Sequence, residues 1–170
     1  MTRTVPIAGK YSVAQRIVYE VVLQANKECI NSVRAGVSLT ALHSLARRTM
    51  RVLIRASGML ADPAREPAED EIDSLFPHFI GHYVGFDVHD CASLRTDVPL
   101  QPGTIITIEP GLYIRPSHTF IKPDFHGIGV RVEDNVVVTA DGRCLNLTGD
   151  IPKEVHAIEQ LMNDRAHGSN

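Results

Sequence analysis

The chain has no tryptophan, only three cysteines in 170 residues, and aromatics at 5% of its composition. With so few rings, Val, Ile, Leu and Ala must build the core, and an apolar fraction of 44% supplies enough of them to exclude disorder. Cys29, Cys91 and Cys144 are odd in number, widely spaced and without a C-x-x-C pair. They read as reduced, buried thiols in a reducing compartment. Charge of one sign is also lacking: 17 basic against 20 acidic residues give a net charge of −3. With no basic stripe, nucleic acid is excluded as a partner. No apolar run approaches the roughly 20 residues a membrane helix needs, and Met1 to Lys10 contain no secretory h-region. By length this is one domain, 1–170, or part of a larger one.

The chain changes character once. Ile17, Val18, Val21, Val22, Ala25, Cys29 and Val33 recur at three- and four-residue steps, which predicts an amphipathic helix capped by Ser12 and stopped before Gly36. Ser38 caps a second helix with Leu42, Leu45, Ala46, Met50, Leu53 and Ile54 inward, ending near Gly58. Residues 61–70, acidic and with two prolines, read as a solvent loop where mobility is expected. Strands are predicted at 104–109 and 130–138, with Asp141-Gly142 turning the second back toward 144–147. Asp150 and Pro152 open a closing helix with Val155, Ile158, Leu161 and Met162 on one face. Helices followed by a sheet predict an α+β fold.

Two residues do not suit the strands that carry them. Glu109 and Glu133 interrupt apolar runs, where a carboxylate is costly to bury without compensation. Period-2 alternation puts Arg131 on the face of Glu133, so a hydrogen bond between them is expected. Pro110 biases Glu109 to extended geometry, and Gly111 is read as turning the chain away. Upstream, His78, His82 and His89 fall within 12 residues, with Gly81 and Gly85 allowing close backbone approach; the glycines, Tyr83 and Val84 favour an extended, turning segment. One His with two carboxylates is a ligand set for Mn, Fe, Co or Zn, and the other two histidines can move protons near neutral pH. His43, His118, His126, His156 and His167 read as structural. Phosphate binding is dismissed, because Gly127-Ile-Gly129 lacks the rest of a phosphate loop. No G-x-S-x-G supports a serine nucleophile.

In order along the chain stand His78-x-x-x-His82-x-x-Gly-x-Asp-Val-His89-Asp, Ile-Thr-Ile-Glu109-Pro-Gly-Leu-Tyr and Gly129-Val-Arg-Val-Glu133-Asp. With the opening Thr2-Arg-Thr-x-Pro and the closing Ile151-Pro-Lys-Glu-Val-x-x-Ile-Glu159, they resemble the C-terminal part of the pita-bread metallopeptidases over nearly the whole chain. The branch is that of aminopeptidase P (Xaa-Pro aminopeptidase), and Gln24-x-Asn-Lys-Glu-Cys-Ile30 is similar to its mitochondrial intermediate-cleaving group. The resemblance implies the C-terminal portion of a pita-bread fold: a curved antiparallel sheet with helices on its outer face. It also implies a two-metal, usually Mn-dependent hydrolase that removes one N-terminal residue from peptides. In that reading His82 and Glu109 ligate one metal and Glu133 bridges both. His78 and His89 are catalytic residues in the substrate cleft, and Arg131 supports Glu133 from behind.

The same resemblance sets limits. Two of the family's five ligands are aspartates that stand before the Thr-Arg-Thr segment, and neither is in this sequence. At most one weakly held ion and no appreciable turnover are therefore expected of these 170 residues alone. Exposed sheet edge is expected too, and with it self-association into a homo-oligomer. The alternative is a non-catalytic binding or regulatory module. Peptide or protein N-termini are the implied partners, and nucleic acid and membrane are not. The implied compartment is mitochondrial; without an Arg- and Ser-rich leader, the chain made as it stands is expected in the cytosol.

Overall fold

The computed structural model describes residues 1–87, 89 and 93–167, the last three as backbone only, so Cys91 and the Asp90 of the histidine cluster lie outside the described residues. In chain order the elements are β1 (Thr2–Arg3), α1 (Val13–Ser32), α2 (Leu39–Ala56), α3 (Glu69–Leu75), β2 (Ile105–Ile108), β3 (Gly111–Tyr113), β4 (Gly129–Val138), β5 (Cys144–Asn146) and α4 (Val155–His167). A single 3₁₀ turn, Pro123–Phe125, precedes β4.

Strand β4 organises the sheet. Its even-numbered residues, Val130 to Val138, are buried and its odd-numbered ones are mostly half-buried, the period-2 signature of a strand with one face on a core. All ladders are antiparallel. Ile105 pairs with Val137, Ile108 with Asp134, Gly111 with Arg131 and Tyr113 with Gly129, so β2 and β3 are one line in constant register, interrupted at Glu109 and Pro110. On the other edge of β4 lie β1, with Thr2 opposite Glu133, and β5, with Val136 opposite Asn146. Residues 80–84 add a further extended segment beside β2: Val84 N–H donates to Ile105 O (3.0 Å), Thr107 N–H to His82 O (2.9 Å) and Glu109 N–H to Ile80 O (2.7 Å).

The helix expectations hold at their ends. Ser12 accepts from Gln15 N–H while Gln15 Oε1 accepts from Ser12 N–H, a complete capping box. Ser38 caps α2 through Ala41 N–H, and Gly36 and Gly58 take positive φ just beyond the two helices. Helix α1 packs on β4 and β2, and α2 and α4 pack on α1. Buried Val18, Val22, Ala25 and Cys29 of α1 share one core with Val132, Val136 and Val138, each such valine contributing about 1.5–3 kcal/mol.

Two expectations need correction. Residues 61–70 do not form one loop: Glu69 and Asp70 begin α3, whose first turn is acidic. Acidic residues favour a helix N-terminus electrostatically, and here Glu69 and Asp73 also pair with Arg47 and Arg51 of α2. Nor does Gly111 turn the chain away. It restarts the strand as β3, paired with Arg131, and an added Cβ would meet the Tyr113 hydroxyl at 2.8 Å and Val130 O at 3.0 Å. Glycine here allows close packing over the sheet.

Candidate metal centre

Register builds the site. Continued through the interruption, the pairing of 108 with 134 and 111 with 131 sets Glu109 directly opposite Glu133. Val132 N–H donates to Pro110 O at 3.3 Å, which makes 110 and 132 the hydrogen-bonded pair and the two glutamates the closer, non-bonded pair. Like charges in that position repel unless a cation lies between them. His82 comes in from the neighbouring extended segment. Its Nε2 lies 3.4 Å from Glu109 Oε1, and His82, Glu109 and Glu133 each present a ligand atom within 4.8 Å of the others.

The surrounding groups aim these three. His82 Nδ1 lies 3.0 Å from Tyr83 O; a carbonyl only accepts, so Nδ1 carries the proton and Nε2 is left with a free lone pair, the tautomer a metal ligand needs. Thr107 accepts from His82 N–H (3.0 Å) and donates to Glu109 Oε1 (3.1 Å). The segment can approach β2 so closely because Gly81 has no Cβ, which would lie 1.9 Å from Thr107 O. Glu133 takes a hydrogen bond from the Thr2 hydroxyl at one oxygen and the Met1 ammonium at the other, 3.1 Å away. Two opposed carboxylates, with an imidazole Nε2 facing them, fit a divalent cation bound by oxygen and nitrogen.

Arg131 does not bond Glu133 as expected. Its Nε donates to the Tyr113 hydroxyl (2.7 Å), and its Nη1 lies 3.7 Å from Glu109 Oε2. The reason is geometric: successive residues on one strand face stand further apart than residues across a strand pair, and Gly111, opposite Arg131, leaves the space through which the guanidinium reaches β3. Tyr113 in turn donates to His78 Nε2 (3.1 Å), while His78 Nδ1–H donates to Phe79 O (2.9 Å). Burial, chiefly, lowers the His78 pKa below the usual histidine value. His89 is exposed, its ring edge-on to His82 at 5.0 Å between centroids.

Tyr113 and Thr107 were not singled out in the sequence, although the signal was there. Thr107 stands two residues before Glu109, and Tyr113 two after Gly111, on the face that period 2 assigns to the site. The remaining described histidine side chains lie outside the donor group. His118 Nδ1 accepts from Arg115 N–H, His126 bonds Ile121 O, and His43 stacks on Phe79. Cys29 is buried, its thiol pushed up to about 12 first by burial and then by Glu28. Cys144 is half-buried and raised by burial, and both are free thiols.

The chain is similar to several known proteins. Xaa-Pro aminopeptidase 3 of Rattus norvegicus is 40% identical over 161 residues, covering 95% of this chain and 31% of that protein. The mitochondrial intermediate cleaving peptidase 55 of Arabidopsis thaliana is 40% identical over 170 residues, 100% of this chain and 33% of the relative. Among solved structures, Icp55 from Saccharomyces cerevisiae superposes with a TM-score of 0.83 at 34% identity over 95% of this chain and 40% of that one. Aminopeptidase PepP of Pseudomonas aeruginosa gives 0.85 at 34% identity, over 97% and 38% respectively. The chain thus spans about a third of the length of the curated relatives it matches, and it shares the α+β pita-bread fold of these aminopeptidases. Residues 1–140 match the model of metallopeptidase family M24, and with the opposed glutamates and their histidine in place, the chain belongs to that family.

Proposed function

We propose that this chain carries the histidine–glutamate half of the centre of a metal-dependent aminopeptidase, one that removes a single N-terminal residue from peptides of the Xaa-Pro or processing-intermediate type. The observation that carries the reading is the cross-strand opposition of Glu109 and Glu133 with His82 inside a 4.8 Å donor group. His82, Glu109 and Glu133 would hold a divalent ion, Mn by family resemblance. Such an ion supplies Lewis-acid activation of water and of the scissile carbonyl. The chain's own residues do the rest. Thr107 and Arg131 orient Glu109, and Thr2 orients Glu133. His89, exposed beside His82, moves a proton to the leaving amine. His78, its pKa lowered chiefly by burial and its Nε2 accepting from the Tyr113 hydroxyl, lines the substrate cleft.

Three donors hold one ion weakly and leave no paired clamp on attacking and leaving groups. These 170 residues alone therefore bind at most one ion and turn over no substrate appreciably. The test is a Mn-supplemented assay, with an Xaa-Pro peptide and with a peptide of bulky first residue, on the 170-residue chain. A version extended with the family's aspartate-bearing upstream strands is assayed beside it. Activity only in the extended version, abolished by Glu133→Ala, is expected. Equal rates would show that three donors suffice; inactivity of both versions would leave the non-catalytic binding module. The compartment proposed is that of the Arabidopsis relative, the mitochondrion, checked by imaging the tagged full gene product.

A further inference from the structure

On the helix side of the sheet, a buried amide completes a ladder that a proline leaves open. Pro110 has no N–H, so its pair with Val132 is closed by one bond only, Val132 N–H to Pro110 O, and Val132 O lacks the partner a strand would provide. Asn26 of α1, without solvent exposure, fills the gap. Its Nδ2 donates to Val132 O (3.3 Å) and to Ile108 O (3.1 Å). Each carbonyl belongs to the residue just before one of the two glutamates.

The orientation of this amide is decided by its neighbour. Lys153 Nζ lies 2.8 Å from Asn26 Oδ1; an ammonium only donates, so the oxygen must face Lys153 and the NH₂ group must face the strands. Lys153 also pairs with Asp134 Oδ2 at 2.7 Å, and Asp134 Oδ1 holds Arg3 Nη2 at 2.7 Å. The other nitrogens of Arg3 donate to Pro152 O, Thr2 O and, at 2.5 Å, Glu133 O. Tyr19, seven residues before Asn26 on α1, donates to Lys153 O, so the helix and the lysine are held to one another. Residues 132–134 are thereby held at three successive points, the first two by their carbonyls and Asp134 by its carboxylate.

We propose that Asn26 is a positioning residue: by pinning the carbonyls that precede Glu109 and Glu133, it sets the separation of the two carboxylates at the metal centre. The proposal rests on the metal reading for its functional consequence, but the pin has a signature of its own in the free protein. A satisfied buried amide with no such role would add stability alone.

The experiment uses the 170-residue chain and two readouts, Mn²⁺ affinity by electron paramagnetic resonance titration and residue-resolved amide exchange. Asn26→Leu keeps the branched shape and removes the donor. It should weaken Mn²⁺ binding roughly 10- to 100-fold, the range for lost support of a metal ligand. Lys153→Met, which frees the amide to rotate, should move affinity in the same direction by less. Ile54→Val on α2, chosen for a comparable loss of Tm, should leave affinity unchanged. In Asn26→Leu the amides of Glu109 and Val132 should exchange about tenfold faster relative to those of Ile106 and Val136. Wild-type affinity in Asn26→Leu, or equal loss in Ile54→Val, would overturn the proposal. If the wild-type chain binds no Mn²⁺, the metal reading fails and exchange decides. Local acceleration at Glu109 and Val132 would support the pin, and a uniform change across the sheet would overturn it.

Discussion

A carboxylate without solvent exposure persists at Asp134 because three donors converge on it. Burial by itself would raise its pKa, but hydrogen bonds from Lys153, Arg3 and Thr148 outweigh that effect and hold it below the usual carboxylate range. Arg3 cannot be exchanged for lysine here, since the planar fork reaches carbonyls and carboxylate together. Truncating Asp134 to alanine strands two half-buried cations on its fully buried site, so a loss of up to about 3–5 kcal/mol is expected by urea unfolding. The sign of its pH dependence follows from the depressed value. The stabilisation is present above the unfolded pKa near ~4 and disappears as pH falls through the lower folded value. The stability gap between wild type and Asp134→Asn should therefore be constant from pH 7 to about 5 and close progressively below pH 4. A gap that stays open in acid would mean that the charge itself contributes nothing.

Among the elements, the extended segment at 80–84 has the narrowest tolerance. It has a single bridge to β2, between Tyr83 and Ile106, and three backbone hydrogen bonds spaced along it. Gly81 touches Thr107 backbone, where an added methyl would sit 1.9 Å from the carbonyl oxygen. No side-chain adjustment relieves a clash with backbone. Gly81→Ala should push the segment off β2, cost about 1–3 kcal/mol and carry His82 away from Glu109. The expected result is loss of Mn²⁺ binding with a smaller loss in Tm, measured on the same sample. Unchanged binding would mean that the segment is free to slide without moving the imidazole.

Across the molecule, histidines that burial holds below their ordinary pKa are expected to shape the response to mild acid. His43, His78 and His118 all have pKa values lowered, mainly by burial. The native state resists protonation at these sites while the unfolded chain accepts it near ~6.5, so stability is present above that pH and is lost as pH falls toward the folded values. His43 is the clearest case. It stacks on Phe79 with ring centroids 4.5 Å apart, and its Nδ1 is buried without a hydrogen-bond partner among the described residues. His43→Phe should flatten the fall in Tm between pH 7 and 5 while keeping the stack; an unchanged slope would assign the acid response to other groups. None of the described helices is long and apolar enough to cross a membrane.

What the sequence determined by itself was whatever depends on neighbours along the chain. Three- and four-residue periodicity placed α1 and α2, Ser12 and Ser38 marked their starts, and period 2 placed β4 with its alternate residues inward, because these are local consequences of helix and strand geometry. Glu109, Glu133 and His82 stood out because a carboxylate in an apolar strand and a histidine between glycines need a reason. The tertiary structure alone decided partnership across the sheet. That Arg131 meets Tyr113 and Glu109 instead of Glu133 depends on register and on the space over Gly111. That Asn26 reaches behind both glutamates depends on where α1 crosses β4. The two Asn26 contacts join residues 82 and 106 positions apart, and no local pattern encodes a distance that only the packing of helix on sheet creates.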